Sequence, residues 1–256
     1  MDLSERPAGD FRRHPWEIAR ARFFRDVLRS RGVLDPRGDR ARTVLDVGAG
    51  DAWFSQQLLA ELPGSSRITC WDAEYTPEAI AMLSARDAGR IEFVSGRPRG
   101  TFDLVVLLDV LEHVEHEGDF LASLVRENVG THTTVLVSVP AWQSLFTSHD
   151  ARLRHYRRYS PARATRMLSD AGLTVDLSGG LFHSLVVPRA IERAREALVP
   201  PPADSIAPDA LEWRAGKAAT AAVRWALAAD NAISRWTARA GVSLPGLSWW
   251  AVCHRP

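Results

Sequence analysis

The chain has 256 residues, 46% hydrophobic and 25% charged, an ordinary composition for one globular domain with an elaboration. Its 32 basic and 31 acidic residues give a net charge of +1, which argues against a nucleic-acid partner bound by bulk electrostatics. Two cysteines, Cys70 and Cys253, are too few for a disulfide framework. The N-terminal residues lack the apolar core of a signal peptide, and no stretch approaches the ~18 apolar residues of a membrane span. We therefore expect a soluble, cytoplasmic protein without stable membrane insertion.

Helical spacing of apolar residues first appears at 15–31, where Pro15 suits the first turn of a helix. Short apolar runs then alternate with helical segments. Strands are predicted at 43–47, 67–72, 91–95, 102–108, 133–139, 173–178 and 247–254. Further helices are predicted at 52–62, 77–88, 117–128, 161–171, 184–198 and 209–240. This alternation predicts a parallel sheet covered on both faces, and the last strand, with no helix after it, can lie antiparallel.

The segment of about 70 residues between the sixth and seventh strands exceeds what a minimal α/β domain needs. A proline-rich break at 200–208 is followed by one apolar stripe at helical spacing. The stripe consists of Leu211, Ala215, Ala218, Ala222, Trp225, Ala229, Ile233, Trp236 and Ala240. We favour a helix packed on its own domain; the alternative is a substrate cap or a dimer surface.

The strongest local signal is the turn VLDVGAGDA at 44–52, where a buried strand meets a helix through glycines. Glycines let a ligand approach the backbone closely, and dinucleotide sites use the same device. Here, however, Asp51 stands where a pyrophosphate would bind the first helix amides, and it would repel one. Asp46 lies before the first glycine, where it can face an ammonium group. The turn therefore favours a nucleoside with a zwitterionic tail.

A second acid, Asp72, ends the second predicted strand, 22 residues after Gly50. A carboxylate at this point of a nucleotide-binding βαβ unit accepts hydrogen bonds from ribose hydroxyls. The alternative is that Asp72 caps the helix that begins after Thr76 and Pro77. We favour the ribose role because strand, turn, helix, strand and acid occur in the expected order.

Several stretches together resemble the class I S-adenosylmethionine-dependent methyltransferases, in the small-molecule branch that includes the ubiquinone-type enzymes. They are HPWEIARARFF at 14–24, VLDVGAGDAWFS, ITCWDAEY, FDLVVLLDVLEHV at 102–114, VLVSVPAW at 135–142 and LFTSHDARLRHYRRYSPARATRMLSDAGL at 145–173. The resemblance implies an α/β, Rossmann-like, seven-stranded sheet of order 3-2-1-4-5-7-6 with strand 7 antiparallel. It further implies an N-terminal lid-helix region at 1–40, a cofactor-binding domain at 41–181 and 241–256, and a helical insertion at 182–240.

The resemblance also implies residues that hold the cofactor, S-adenosyl-L-methionine, and its product S-adenosyl-L-homocysteine. They are Trp16, Arg20, Asp46, Gly48, Ala49, Gly50, Asp72, Ala73, Gly96, Arg97, Leu108, Asp109 and His113. Two positions depart from the family pattern. Ala52 stands where a third glycine is usual, and Gly96 and Arg97 replace the acid that often contacts adenine. Backbone groups and stacking on Trp53 or Trp71 are the alternatives for adenine. Trp16 and Arg20 either close over the cofactor or simply pack.

Candidates for catalysis lie after the fourth and fifth strands, because open α/β sheets bind ligands at the carboxyl ends of their strands. The catalytic candidates are His113, His149, Asp150, His155 and Tyr159. The substrate-binding candidates are Trp142, Arg157 and Arg158, the two arginines because guanidinium groups suit anions. His149 next to Asp150 is either a base with its orienting carboxylate or part of a hydrogen-bonded loop. The arginines alternatively pair with nearby acids. No metal is expected, because His113 and His116 lack a third ligand at suitable spacing.

These features predict a methyltransferase acting on an O, N or C atom of a small organic acceptor. The tryptophans of the insertion suggest an aromatic or apolar secondary metabolite, and the insertion helices a possible homodimer. A single lysine beside many arginines and alanines indicates a GC-rich bacterial genome. The alternatives are a lipid-linked acceptor, a nicotinamide-dependent dehydrogenase, or a non-catalytic protein that keeps the fold.

Overall fold

A seven-stranded sheet forms the centre of the computed structural model, which describes residues 13–87, 89–199, 213 and 215–256. The sheet order is β3-β2-β1-β4-β5-β7-β6, with β7 antiparallel to β5 and β6 and the remaining neighbours parallel. The strands are β1 (Thr43–Val47), β2 (Arg67–Trp71), β3 (Ile91–Val94), β4 (Phe102–Leu108), β5 (Val129–Pro140), β6 (Thr174–Leu181) and β7 (Ser248–His254). The predicted fold class and sheet order are confirmed.

Eight helices lie within the described residues and connect or cover these strands. They are α1 (Pro15–Ser30), α2 (Trp53–Leu59), α3 (Pro77–Ser84), α4 (Glu117–Asn128), α5 (Ser148–Arg152), α6 (Pro161–Asp170), α7 (Val186–Leu198) and α8 (Lys217–Arg239). Thr76 and Ser160 cap α3 and α6, and a proline comes after each cap in the first turn. The short helix α5 was not predicted, because its five residues are fewer than a periodic pattern needs.

Helices cover the two faces of the sheet, and each face carries its own apolar cluster. On one face Phe23 and Phe24 of α1 contact Trp250 of β7, with ring centroids 5.1 and 6.5 Å away. On the other face Leu124 of α4 and Leu168 of α6 pack with strand residues. The sheet is thereby buried on both sides, which explains why most strands are nearly continuous apolar runs.

The helix predicted at 209–240 presents a different face to the protein than its apolar stripe indicates. Leu227, Asn231 and Ala238 of α8 are buried, and α8 packs on α1 and β6. By contrast, Trp225 and Trp236 of the predicted stripe are 79% and 70% exposed. The favoured packing on its own domain is therefore found, but through the opposite, more polar face. Part of the prediction, including Leu211 and the break at 200–208, lies outside the described residues, as do residues 1–12 of the predicted lid region.

Cys70 and Cys253 are both buried free cysteines, on strands that three others separate in the sheet. Burial raises the pKa of the Cys253 thiol to about 12. None of the helices in the described part of the chain combines the length and apolar character needed to cross a bilayer.

Candidate active site

The glycine turn after β1 is built from backbone conformations that most side chains disfavour. Gly48 and Gly50 have φ of +64° and +53°, and a Cβ on Gly48 would stand 2.8 Å from a methyl of Val110. Ala52, at the expected third glycine, also has a left-handed φ of +57°. Its methyl is fully buried in the apolar cluster, so it packs into the core instead of narrowing an open pocket. Gly48 is exposed at this turn, beside β1, β2 and β4, while its amide donates to the Trp71 carbonyl at 2.7 Å.

Asp46, the next-to-last residue of β1, is a buried carboxylate under this turn. One of its oxygens accepts a 2.6 Å hydrogen bond from the hydroxyl of Ser55 on α2. Burial raises its pKa to about 6, and the Ser55 bond opposes this rise only in part. A buried acid that ionises so reluctantly is well matched to a cation, because a neighbouring positive charge favours its ionised form. Ser55 was not among the predicted site residues.

Asp72 comes directly after β2 and faces the same turn. Its carboxylate accepts from the amide of Gly50 at 2.9 Å and from that of Glu74 at 2.9 Å. Thr76, and not Asp72, caps α3, so the capping alternative for Asp72 is wrong. A carboxylate has about four acceptor positions, so two backbone bonds leave Asp72 able to accept ribose hydroxyls. Ala73 is exposed beside it.

Asp51 occupies the start of α2, as the sequence indicates. Its carboxylate accepts from the Trp53 amide and pairs with Arg13, whose guanidinium also lies over the Trp53 ring. The first amides of α2 therefore face an acid and are poorly placed to bind a phosphate.

Asp109 comes directly after β4 with a left-handed φ of +57°. The Ser138 hydroxyl of β5 donates to one of its carboxylate oxygens at 2.9 Å, and Arg20 of α1 pairs with the other. The guanidinium of Arg20 in turn lies 4.7 Å from the ring centre of Trp16. The predicted lid residues Trp16 and Arg20 therefore lie together over the carboxyl end of β4, where Leu108 is half-buried.

The side of the site expected to hold adenine contains an aromatic–cation group. The Arg97 guanidinium lies 5.2 Å from the ring centre of Trp71 and 5.4 Å from that of Phe120. Gly96 is exposed next to it. Trp53, the other tryptophan considered for stacking with adenine, instead has the Arg13 guanidinium over its ring. Trp71 and the Arg97 guanidinium therefore offer planar groups on which adenine can stack, at the place where the family pattern often has an acid.

The segment after β5 is organised around Asp150, a fully buried carboxylate. It accepts from Nδ1 of His155 at 3.1 Å, from Nε and Nη2 of Arg158 at 2.9 and 2.8 Å, and from the Thr147 amide. Burial alone would raise the pKa of Asp150. Hydrogen bonds from His155 and Arg158 outweigh this effect and hold the pKa of Asp150 well below its usual range. The sequence pairs Asp150 with His149, whereas the imidazole in contact with it is that of His155. Burial and Arg189 lower the pKa of His149.

Glu112 is a functional candidate that sequence reasoning missed. It lies in a short 3-10 helix, Leu111–His113, and is fully buried. Neither carboxylate oxygen has a hydrogen-bond partner among the described residues. Burial and the nearby Asp109 raise the pKa of Glu112 well above its ordinary range. An acid next to the apolar pair Val110 and Leu111, one turn after Asp109, was the available signal.

The segment after β5 holds this 3-10 helix in place. The amide of Tyr156 donates to the carbonyl of Glu112 at 2.8 Å, and the hydroxyl of Tyr159 donates to the carbonyl of Leu111 at 3.1 Å. His155 thereby comes to lie against His113, with ring centres 4.6 Å apart. Tyr159 is fully buried, and burial raises its pKa to about 12, so it is placed to position the turn and not to accept a proton.

The structure thus brings some predicted residues together and separates others. Asp46, Gly48, Ala49, Gly50, Asp72, Leu108 and Asp109 lie at one edge of the sheet, with His113 and His155 beyond β4. Arg157 pairs with Glu117 and donates to the Glu115 carbonyl, and Arg158 is buried against Asp150. Both arginines therefore fit the alternative of internal pairing. The indole nitrogen of Trp142 donates to the Gly246 carbonyl at 2.9 Å.

The charged, polar and planar groups of this site fit S-adenosylmethionine. The site provides carboxylates for an ammonium group, a sulfonium and ribose hydroxyls, an open glycine turn and planar groups, and its helix terminus disfavours a pyrophosphate.

A family model described as a methyltransferase domain matches residues 16–178, well over half of the chain. The chain is 32% identical over 125 residues to the mitochondrial ubiquinone biosynthesis O-methyltransferase of Schizosaccharomyces pombe, covering 44% of this chain and 42% of that protein. It is 29% identical over 171 residues to the ubiquinone biosynthesis O-methyltransferase of Xanthomonas axonopodis pv. citri, covering 59% of this chain and 69% of that protein. The first match thus spans less than half of the relative's length.

A solved structure superposes on almost the whole chain. The cyclase SpnF matches 97% of this chain and 85% of its own with a TM-score of 0.55 and 15% sequence identity. Identity this low shows a shared fold and nothing about the reaction.

Proposed function

Because the chain belongs to the class I S-adenosylmethionine-dependent methyltransferases, we propose that it transfers the cofactor's methyl group to a heteroatom of a small organic acceptor. The observation that carries this proposal is the row of carboxylates Asp46, Asp72 and Asp109 around the glycine turn. They stand at the carboxyl ends of β1, β2 and β4, which are neighbouring parallel strands of the sheet. Ligands of open α/β sheets bind at that edge.

The three acids divide the cofactor between them. Asp46 faces the ammonium of the methionine part, Asp72 the ribose hydroxyls, and Asp109 with Leu108 the region of the sulfonium. S-adenosylmethionine supplies an electrophilic methyl group, so the protein's main task is to align the acceptor behind it. Alignment of this kind is worth up to about 7–11 kcal/mol of the barrier. The left-handed backbone conformation of Asp109 forms the turn after β4, next to the region that we assign to the sulfonium.

The acceptor lies beyond Asp109, at the group formed by Glu112, His113 and His155. An oxygen or nitrogen nucleophile loses a proton as it is methylated, and these are the groups placed to assist that loss. Asp150 orients His155 through Nδ1. Arg158 and Tyr159 are positioning residues, because both are buried and bonded to this network.

We propose an oxygen acceptor, in keeping with the names of the two curated relatives. An aromatic or apolar metabolite remains our prediction for the acceptor framework, but Trp225 and Trp236 of α8 do not support it, since both are exposed. The cytoplasmic location stays a prediction from the sequence. A lipid-linked acceptor and a non-catalytic role are the remaining alternatives, which acceptor assays and a ligand-binding measurement separate.

The test is a thermal unfolding assay with S-adenosylhomocysteine, and with NAD as the control ligand. At ~100 times its dissociation constant, a ligand stabilises the native state by about 2.7 kcal/mol. We expect this shift with S-adenosylhomocysteine alone, and its loss in Asp72→Ala. A shift with NAD alone would overturn the cofactor assignment. A shift with neither would favour the non-catalytic alternative.

A further inference from the structure

Helix α8 turns its apolar side away from the protein, and we propose that this side is a docking surface for an acidic, amphipathic helix of a partner protein. We call this side the outer face of α8. It consists of Trp225, Ile233 and Trp236 and the exposed alanines Ala218, Ala221, Ala222, Ala229 and Ala232. The inference goes beyond the proposed function and does not depend on it.

The outer face is continuous because its members recur at helical spacing. Trp225 and Trp236 are eleven residues apart, which is about three turns, so the two indoles lie on nearly the same side of α8, about 16 Å apart along its axis. Ala229 and Ala232 lie between them on that side. Two bulky side chains therefore border a stretch of small ones, and small side chains let a second helix approach closely.

The opposite side of α8 fixes this orientation. Leu227 is buried there, and Asn231 donates to the Ala19 carbonyl of α1 at 2.8 Å. Asp230 accepts from the Ser184 hydroxyl at 2.6 Å. Turning α8 over to bury its indoles would leave these polar groups without their partners, which is costly for groups that are buried. The apolar side therefore remains outward, where a second molecule can cover it.

Positive charge runs along one flank of the outer face. Lys217, Arg224 and Arg239 are exposed on this flank, and Arg235, also on it, pairs with Asp26 of α1. The only acid in the sequence of α8 is Asp230, which is buried. Opposite charges across an interface favour association, and like charges suppress it. The flank therefore selects a partner whose apolar side chains are accompanied by glutamate or aspartate.

Two other occupants match the outer face less well. An isologous dimer would bring two copies of the same face together, and that face has no acid to pair with its basic flank. Binding to a lipid bilayer increases with the apolar area that enters it, and alanine methyl groups supply little. Tryptophan and arginine, by contrast, are enriched among the side chains that contribute most to protein–protein affinity.

The probe is a synthetic helical peptide of about 20 residues, with leucine on one side and glutamate at most other positions. A second peptide carries lysine in place of glutamate, and a third keeps glutamate but carries serine in place of leucine. Fluorescence anisotropy of each labelled peptide, titrated with the full chain, measures its affinity.

Two double variants test the apolar side chains and the charges separately. For the wild type we expect the glutamate peptide to bind at least ~10-fold tighter than the lysine peptide, and the serine peptide not to bind. Trp225→Ser with Trp236→Ser should weaken binding of the glutamate peptide at least ~10-fold. Arg224→Glu with Arg239→Glu should reverse the preference, so that the lysine peptide binds tighter.

Arg86→Glu with Arg166→Glu is the matched control, since it changes the net charge equally at two exposed arginines outside α8. It should bind the glutamate peptide as the wild type does. Circular dichroism confirms that each variant is folded. S-adenosylhomocysteine binding, measured on the same preparations, should be equal in all of them, so this test is separate from that of the cofactor site.

Three results would overturn the proposal. The first is no binding of the glutamate peptide to the wild type, or equal affinity for the glutamate and lysine peptides. The second is a wild-type dimer on a sizing column that the tryptophan variant makes monomeric, which would assign the outer face to a second copy. The third is sedimentation with phosphatidylglycerol vesicles that the tryptophan variant abolishes, which would assign it to a bilayer.

Discussion

Asp150 shows how a single residue organises the segment after β5. It is buried, and it joins His155, Arg158 and the Thr147 amide in one network. Arg189 of α7 approaches it at 3.6 Å. Such a buried pair is strongly interdependent, because removing one charge leaves the other without compensation.

At this residue we predict that Arg158→Ala lowers the free energy of unfolding by about 3–5 kcal/mol, because it strands Asp150 in the interior. Arg163→Ala is the matched control: its guanidinium pairs with Glu117 but is half exposed, so its loss should change stability by about 0–1 kcal/mol. Urea unfolding followed by fluorescence gives both values. Similar losses in the two variants would contradict a network centred on Asp150.

Asp46 provides a prediction about pH. Its folded pKa of about 6 lies above its ordinary value, so between about pH 4 and 6 the folded protein holds a proton that the unfolded chain releases. Stability therefore falls as pH rises through this window. A ligand ammonium favours the ionised form, so affinity for S-adenosylhomocysteine should rise with pH and level off above about 6.

The measurement is calorimetric titration of S-adenosylhomocysteine between about pH 5 and 8. We expect the dissociation constant to increase up to about tenfold per unit below about pH 6 in the wild type. Asp46→Asn should bind weakly at every pH, whereas Asp170→Asn, an exposed acid on α6, should behave as the wild type does. A flat wild-type profile would exclude Asp46 as the ammonium partner.

At the level of single residues, the sequence predicts which side chains belong to the site mainly where they lie at or directly after the end of a strand. Asp46, Asp72 and Asp109 were predictable because each occupies the carboxyl end of a recognisable strand. Glu112 and the Asp150–His155 pair were not, because their environment depends on how two distant loops dock. The pairing of Asp150 with its sequence neighbour His149 failed for the same reason.

Among the elements, α1 links the site to the rest of the molecule. Its carboxyl-terminal half is held by the large apolar side chains of Phe23, Phe24 and Leu28 in the core. Its amino-terminal half buries fewer large apolar side chains. It relies more on polar contacts, among them the pair between Arg20 and Asp109 and the hydrogen bond from Asn231 of α8 to the Ala19 carbonyl at 2.8 Å. The first half is therefore the part that can open.

We predict that Arg20→Ala increases amide hydrogen exchange in the first two turns of α1 and leaves the exchange of its last two turns unchanged. The pair of Arg25 with Glu61, both of which are partly buried, provides the control, since Arg25→Ala removes an ion pair of the same helix away from Asp109. Mass spectrometry of exchanged peptides resolves the two halves. Uniform exchange along α1 in both proteins would show that the helix opens as one unit.

Helix α8 shows that apolar periodicity does not always predict which face of a helix is buried. Apolar periodicity assumes that the apolar face turns inward. In α8 the inward face instead carries Asn231, Ser234 and Asp230, whose side chains bond to α1, His183 and Ser184. Specific hydrogen bonds at the interface thus decide the orientation, and a count of apolar residues does not detect them. Strand positions were more predictable because the central strands β1, β4 and β7 are almost continuously buried.

For the molecule as a whole, α7 and α8 leave large apolar side chains on the surface. Val187 and Ile191 of α7 and Trp225 and Trp236 of α8 are all exposed. Exposed apolar side chains that form a contiguous patch are typical of contact surfaces, whereas single ones are common on any protein. The homodimer predicted from the sequence stays a prediction, and these are the side chains that it would bury.

The double variant Trp225→Ser, Trp236→Ser tests this directly. Because both indoles are exposed, we expect unfolding free energy within ~0.5 kcal/mol of the wild type and unchanged affinity for S-adenosylhomocysteine. If these helices form the dimer, light scattering on a sizing column should show a wild-type dimer that becomes monomeric in the variant. A wild-type monomer at every concentration would remove the homodimer prediction.

The position of β7 has a consequence for how this chain is made. β7 lies between β5 and β6, yet about a hundred residues separate it from β5 in sequence. At about 5–20 residues per second, a ribosome takes roughly 5–20 s to deliver it. During that interval β5 presents an open edge in the middle of the future sheet, the kind of edge on which strands of other chains can add. We therefore expect the yield of folded protein to depend on the rate of translation as well as on the stability of the finished fold.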